Sequence, residues 1–142
     1  MKLNIRVGRN GKTPTYKTKG AVGADIYSAE DAIISVGSIK LIHTDIYMEV
    51  PEGYEIQLRP RSGLAVKESI TIINSPGTVD NDYRGEIMIG LINLSAYSYK
   101  IFKGDRIAQM ILAPVEKAEF NEMIELSATE RGNDGFGSTG TN

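Results

Sequence analysis

The chain has 142 residues, of which 41% are hydrophobic and 24% charged, and its formal net charge is −2. These values predict one globular domain and exclude both disorder and nucleic-acid binding through bulk charge. The absence of Cys and the single His43 exclude disulfides, thiol chemistry and a cluster of imidazole ligands. Without a membrane-length apolar run or a signal-peptide core in residues 1–10, we expect a soluble cytoplasmic protein that binds neither nucleic acid nor a membrane.

Strands dominate the predicted elements along the chain. Ile, Val and Thr outnumber Ala and Leu, and side chains branched at Cβ fit a pleated strand better than a helix. In residues 38–50 and 54–60, apolar and polar side chains alternate, which is typical of a half-buried strand. The apolar positions on the shared faces are Ile42, Ile46, Met48 and Val50, with Thr44 between them, and then Ile56 and Leu58.

The second half of the chain continues this pattern. Residues 86–94 are nearly all apolar, which predicts a strand buried on both faces. Residues 99–115 predict a strand, a Lys-Gly-Asp turn and a second strand that Pro114 ends. Residues 64–69 are the one segment with helical character. Since Gly and Pro punctuate the chain at short, regular intervals, we predict an all-β sandwich, jelly roll or barrel with one very short helix.

Two polar side chains lie within apolar strand segments. Asp25 stands between Ala24 and Ile26, where its carboxylate would be partly buried and would need a partner. It is either a turn residue satisfied locally or part of a functional site. Gln109 interrupts the predicted strand of residues 99–115, so its amide requires either a backbone partner or a ligand. We interpret His43 as structural.

Residues 60–65, PRSGLA, open the short helix with Arg61, Ser62 and Gly63. Unpaired N–H groups, a hydroxyl and a guanidinium could together bind an anion. The alternative is simple N-capping of the helix by Ser62. Both interpretations are compatible with the local sequence.

Residues 76–87 place Asp80 and Asp82 in a polar loop. The spacing resembles a calcium loop, but Arg84 and Leu91 would occupy its fifth and twelfth positions, which excludes that reading. A strand–turn–strand hairpin with a polar tip remains.

The composition changes after Leu126, where the chain becomes rich in Gly and loses the strand pattern. Such a segment is normally a frayed terminus. Arg131 and Phe136 among the glycines nevertheless have no use in a purely flexible tail. A P-loop is excluded, because no Lys follows the glycines and no helix could fit before the chain ends.

Five of these segments, in this order, resemble the motifs of the trimeric deoxyuridine triphosphate nucleotidohydrolases, or dUTPases. The resemblance spans residues 21–140, with small departures at Val22 and at Thr78–Val79 that touch no reacting group. The matching segments are AVGADIYSA (21–29), PRSGLA (60–65), GTVDNDYRGEI (77–87), GDRIAQMIL (104–112) and RGNDGFGSTG (131–140).

The resemblance implies a distorted jelly-roll or β-clip-like barrel as the catalytic core, residues 1–126, and a flexible C-terminal arm, residues 127–142. It also implies a homotrimer with composite active sites at the subunit junctions. One subunit would supply the first, second and fourth motifs and another the third, and the arm of another would close the site.

The implied reaction is hydrolysis of dUTP to dUMP and pyrophosphate with Mg²⁺ on the triphosphate, which limits uracil incorporation into DNA and supplies dUMP. Asp80 would activate the water, and Asp25 would either act on metal-bound waters or position neighbouring groups. Tyr83 would pack under the deoxyribose, Phe136 would stack on uracil, and Asn74 would assist the main chain of the 74–87 hairpin in recognising the base. The remaining implied substrate-binding residues are Arg61, Ser62, Gly63, Gln109, Arg131, Gly137, Ser138 and Thr139.

Two alternatives stay open at the level of sequence. A dCTP deaminase-like enzyme would share the fold, although PRSGLA and GFGSTG favour phosphohydrolysis. A regulatory dUTPase-like binding protein would use the same scaffold, as in some phages, but the chain shows no extra domain for a partner. The gene could be cellular or encoded by a phage whose product acts in the host cytoplasm.

Overall fold

The computed structural model describes residues 1–135, in which eleven strands and one seven-residue helix are found. This confirms the predicted all-β class with one very short helix. No helix among these residues has the length and apolar character that a bilayer crossing requires. The elements are β1 (Asn4–Val7), β2 (Ala24–Tyr27), β3 (Ala32–Ile34), β4 (Ile39–Ile42), β5 (Ile46–Glu49), β6 (Tyr54–Arg59), α1 (Ser62–Glu68), β7 (Ile70–Ile72), β8 (Gly77–Val79), β9 (Ile89–Asn93), β10 (Tyr99–Ile101) and β11 (Arg106–Pro114).

The strands form two sheets and two ribbons, all with antiparallel pairing. The larger sheet has the order β2-β11-β6-β8, and the smaller one has the order β4-β9-β7. The ribbons are β1-β5 and β3-β10. Because β11 pairs with β2 on one side and β6 on the other, three distant segments of the chain become neighbours in one sheet. This arrangement positions most of the candidate site.

The core between these layers consists mainly of isoleucine. Each fully buried Ile side chain contributes about 1.5–3 kcal/mol relative to an exposed one, and its branched Cβ suits a pleated surface. The largest fully buried apolar side chains are Ile26, Ile34, Ile42, Ile46, Ile56, Ile70, Ile89, Leu91, Ile101 and Ile107.

The alternation predicted for residues 38–50 and 54–60 is confirmed by burial. Every apolar position on the predicted faces is at most 7% exposed, and Thr44 is fully buried with them. The first segment is nevertheless two strands, β4 and β5, which pair with β9 and β1 respectively. The break falls next to Asp45, whose φ of 53° takes the backbone out of the strand conformation.

Two local predictions are wrong. The strand expected over residues 86–94 begins only at Ile89, and Gly90 and Ile92 are half-buried rather than buried on a second face. The hairpin expected over residues 74–87 does not exist: β8 pairs with β6, whereas β9 pairs with β4 and β7. The two strands predicted within residues 99–115 are confirmed as β10 and β11.

The chain beyond β11 has a different character in the part that is described. Residues 115–134 form neither helix nor strand and are exposed. Phe120 and Leu126 are about nine-tenths exposed. The predicted boundary between a core ending at residue 126 and an arm stays a prediction.

Candidate active site

The first group of candidate residues gathers around the Asp25 carboxylate on β2. Oδ1 of Asp25 accepts a hydrogen bond from Nε of Arg61 (3.2 Å), and Oδ2 accepts one from Nη1 of Arg106 (3.0 Å). The Asp25 side chain is 12% exposed and that of Arg61 25%, so the pair is largely shielded from water. Two guanidinium groups against one carboxylate leave this group with a net positive charge, which favours an anionic ligand.

Arg61 occupies the N-cap position of α1, and its side chain is held away from the helix. Besides the ion pair with Asp25, its Nη1 donates to the main-chain oxygen of Arg106 (2.9 Å). Ser62 is therefore the first helical residue, and no side chain caps the helix. The N-capping interpretation of Ser62 is wrong. Ser62 and Gly63 are both exposed in the first turn, beside the fixed guanidinium.

Gln109 joins the same group from the central strand. It is paired with Asp25 in β2 and with Arg59 in β6, and its Nε2 donates to the main-chain oxygen of Pro60 (2.9 Å). Of the two alternatives for this amide, a backbone partner is thus present. Gly23 packs against the amide so closely that a Cβ there would overlap Oε1 of Gln109, so the close approach requires glycine. The first, second and fourth motifs meet here.

The second group lies on the loop between β8 and β9. Asp80 is exposed immediately after β8, and its main-chain oxygen accepts a hydrogen bond from the N–H of Tyr83 (3.2 Å). The Tyr83 hydroxyl donates to the main-chain oxygen of Glu86 (2.9 Å). The Tyr83 ring thereby covers Gly85, at which a Cβ would overlap the hydroxyl. These contacts fold the loop over itself and leave Asp80 and Tyr83 on its surface.

Asn74, Asp80 and Tyr83 line one cleft of about 230 Å³, with Leu58 and Val79 among the apolar residues of its wall. The structure therefore brings together the three residues of the third-motif region that the resemblance assigns to the water, the sugar and the base. Asn74 also approaches Gly77 closely at the start of β8. Glu86 lines the cleft as well, and a cleft that combines carboxylate, amide and aromatic groups has the chemistry needed to bind a nucleoside.

Glu86, which was not predicted from the sequence, anchors this loop. Its Oε1 accepts hydrogen bonds from the N–H groups of Thr44 (3.0 Å) and Asp45 (2.7 Å), and its Oε2 accepts one from Nδ1 of His43 (2.9 Å). Burial raises the pKa of Glu86, but these hydrogen bonds outweigh it and lower the pKa below its usual value. The hydrogen bond to Glu86 raises the pKa of His43.

The two groups lie at opposite edges of the larger sheet, because Asp25 is on β2 and Asp80 directly follows β8. No hydrogen bond or ion pair among residues 1–135 joins the Asp25 group to Asp80 or Tyr83. Arg131 is exposed in a turn, where its Nε donates to the main-chain oxygen of Asp134 (2.8 Å). The remaining predicted arm residues, Phe136, Gly137, Ser138 and Thr139, lie outside the described residues.

Comparison with known proteins identifies the class. The family model for dUTPase matches residues 9–140. A deoxyuridine 5'-triphosphate nucleotidohydrolase of Nautilia profundicola is 54% identical over 141 residues, which cover 99% of each chain. A mutant dUTPase of Staphylococcus bacteriophage 80alpha with dUpNHpp has a TM-score of 0.91 and 29% identity, covering 99% of each chain.

A further solved structure concerns the metal. It is a mutant dUTPase from phage phi11 of S. aureus that reveals the coordination of a structural Mg(II) ion. Its TM-score is 0.83 at 25% identity, and the match covers 90% of this chain and 100% of that one.

Fold and relatives together place the chain among the enzymes that hydrolyse nucleotides. Since the family model and the relative both extend over nearly the whole length, the chain belongs to the dUTPase family. The family, the enzyme class and the fold predicted from the sequence are thereby confirmed. The dCTP deaminase-like and regulatory alternatives are not favoured. The roles of individual residues stay predictions.

Proposed function

We propose that three copies of this chain form composite sites that hydrolyse dUTP to dUMP and pyrophosphate, with Asp80 activating the attacking water. The observation that carries the proposal is the separation of two complementary groups in one chain. A cationic group around Arg61 suits the triphosphate, and a cleft around Asp80 and Tyr83 suits the nucleoside. Neither group alone can act on a nucleoside triphosphate, so a site at a subunit junction unites them.

In the proposed reaction, Asp80 accepts a proton from a water molecule while the water oxygen forms a bond to the α-phosphorus. The bond between the α-phosphorus and the bridging oxygen to the β-phosphate breaks, and pyrophosphate leaves with that oxygen. General-base assistance of this kind contributes typically about 10²–10⁴-fold to the rate. The exposure of Asp80 at the end of β8 leaves its carboxylate accessible to water and substrate.

The triphosphate would be bound by Arg61, by Ser62 and Gly63 in the first turn of α1, and by Gln109. Arg61 is already oriented by Asp25 and by the main-chain oxygen of Arg106, so little conformational entropy is lost on binding. The Nε2 group of Gln109 has a second N–H besides the one that donates to the main-chain oxygen of Pro60, so the amide can also donate to a phosphate oxygen.

The nucleoside would lie in the cleft of Asn74 and Tyr83. Tyr83 would pack under the deoxyribose and exclude a 2′-hydroxyl, and main-chain groups of residues 74–87, assisted by Asn74, would recognise uracil. Phe136 of the arm would stack on the base, a contact worth about 1–3 kcal/mol. Closure of the arm would bring Arg131 to the phosphates, together with Gly137, Ser138 and Thr139, and would exclude water.

A homotrimer accounts for the apolar side chains exposed after β11. Phe120, Ile124 and Leu126 form no core of their own, and their exposure in a lone chain is unfavourable. Another copy of the chain would cover this segment and place the arm over the neighbouring site. In the cytoplasm, such an enzyme would limit uracil incorporation into DNA and supply dUMP.

The residues present fit Mg²⁺ held mainly by the substrate. Among the described residues, no group of three or more His, Cys, Asp or Glu side chains could hold a metal ion. Mg²⁺ commonly keeps several waters and binds substrate phosphates with few protein ligands, and it would neutralise charge on the triphosphate. Asp25 has lone pairs left beyond its two arginine contacts, so it could accept hydrogen bonds from metal-bound waters.

The test combines a substrate panel with two matched variants. Pyrophosphate release with Mg²⁺ is measured for dUTP, dTTP, dCTP and UTP, and we expect turnover of dUTP above all others. Asp80→Asn should retain dUTP binding and lose at least about a hundredfold in kcat. Asp82→Asn makes the same charge change on the same loop and should retain turnover. A near-normal kcat in Asp80→Asn would show that Asp80 does not activate the water. Release of ammonia from dCTP would indicate a deaminase.

A further inference from the structure

Glu86 connects two parts of the molecule through a single residue. Its carboxylate is bound to the corner between β4 and β5, by the N–H groups of Thr44 and Asp45 and by Nδ1 of His43. The Glu86 side chain is 17% exposed, so its bonds to the two N–H groups are largely shielded from water, whereas the His43 side chain is 56% exposed. A carboxylate that accepts three hydrogen bonds has a strongly preferred position.

The main chain of Glu86 contacts Tyr83, and both residues line the nucleoside cleft. Its oxygen accepts the hydrogen bond from the Tyr83 hydroxyl (2.9 Å). This bond and the close packing over Gly85 are the contacts that hold the Tyr83 ring against the loop. The position of the ring therefore depends on the position of the Glu86 peptide, and that peptide depends on the carboxylate.

The adjoining residue strengthens the same connection. The N–H of Ile87 donates to the oxygen of Ile46 (2.9 Å), and the Thr44 hydroxyl donates to the oxygen of Ile87. Residues 80–86 form no strand, so this loop is held at one end by β8 and at the other by the hydrogen bonds of Glu86 and Ile87. Of the loop residues themselves, Glu86 is the one whose side chain reaches the β4–β5 corner.

We propose that Glu86 is a positioning residue that sets the orientation of Tyr83, and that it thereby controls discrimination between deoxyribonucleotides and ribonucleotides. The inference rests on the proposed function, because it requires Tyr83 to pack under the sugar. Discrimination against one extra hydroxyl depends on a ring that cannot move aside. A Tyr83 ring on a loosened loop would yield to the 2′-hydroxyl, and UTP would enter.

The experiment compares kcat/KM for dUTP and UTP in the full-length protein. In Glu86→Ala the ratio of the two values should fall by about tenfold, the scale expected when hydrogen bonds to a buried charge are lost. Glu86→Gln keeps an acceptor for the two N–H groups and should recover part of the ratio. Tyr83→Ala is the comparison variant and should lower the ratio at least as far. Glu49→Ala, which removes an exposed carboxylate at the end of β5, should leave the ratio unchanged.

Thermal unfolding of each variant separates positioning from simple loss of stability. A lower midpoint with an unchanged dUTP-to-UTP ratio in folded Glu86→Ala would overturn the inference. If Glu86→Ala does not fold, Glu86→Gln decides, and a wild-type ratio in that variant refutes the proposal. Failure of the proposed function is distinguishable, because the wild-type protein would then not hydrolyse dUTP, or Tyr83→Ala would leave the ratio unaltered.

Discussion

Asp25→Asn is the substitution that most directly tests how the group proposed to bind the triphosphate is held in place. The carboxylate bridges the guanidinium groups of Arg61 and Arg106 at 3.2 and 3.0 Å. An asparagine keeps one acceptor oxygen, but it places an NH₂ group against the other guanidinium. Two positive charges then remain together without their counter-charge.

The magnitude follows from the exposure of the three side chains. Removing one partner of a fully buried ion pair costs about 3–5 kcal/mol. Asp25 is 12% exposed and Arg61 25%, but Arg106 is 40% exposed, so solvent screens its share. We expect a loss of about 2–3 kcal/mol in the free energy of unfolding, and for a domain of this size about 8–12 °C in the melting temperature.

The assay is urea unfolding at a fixed protein concentration, followed by steady-state kinetics with dUTP. Because Arg61 loses its orientation, KM should rise about tenfold, which corresponds to the weakening of one charged contact. Asp82→Asn, an exposed residue with the same charge change, is the control for both measurements. If the free energy of unfolding fell by less than about 1 kcal/mol, the argument from burial would be refuted. An unchanged KM would mean that Arg61 does not contact the substrate.

Three further outcomes are expected. Gly23→Ala should displace Gln109, lower the free energy of unfolding by about 1–3 kcal/mol and raise KM. If both quantities were unchanged, the surrounding side chains would have to accommodate the extra methyl group without cost. Deletion of residues 127–142 should leave the melting temperature within about 2 °C but reduce dUTP hydrolysis severely, whereas intact kinetics would exclude a role for the arm. The hydrogen bond to Glu86 raises the pKa of His43, so the pair of His43 and Glu86 should stabilise the fold fully below about pH 6.5. That stabilisation should be lost as the pH rises through the raised pKa of His43. Since the Glu86 pKa is lowered, its own contribution should persist down to below about pH 4.5, and His43→Gln should remove the alkaline dependence in urea unfolding.

Features set by local alternation could be predicted from the sequence. Ile42, Ile46 and Met48 share a parity, and parity alone determines which side chains face the core. The break between the two strands could not be predicted. It depends on Asp45, which takes a positive φ while its N–H is bound by Glu86, a residue far away in the sequence.

Predictions failed where distant partners compete with a local preference. Ser62 has the chemistry of an N-cap, but the side chain of Arg61 is drawn to Asp25, and the cap position falls one residue earlier. Residues 74–87 have the pattern of a hairpin, but β8 pairs with β6 instead. Both edges of β9 are occupied by β4 and β7. Glu86 gave no signal in the sequence, because a lone glutamate after a glycine is an ordinary surface pattern.

Because β11 lies between β2 and β6, the larger sheet cannot form completely until this late strand has been synthesised. Until residue 114 has left the ribosome, β2 and β6 each expose a row of N–H and C=O groups that the final strand will later pair. Such pairings join residues far apart in the chain and form slowly, and incomplete sheets of this kind associate with one another. A premature stop codon ahead of β11 therefore produces an aggregation-prone fragment that the cell's proteases degrade, rather than a weakly active enzyme.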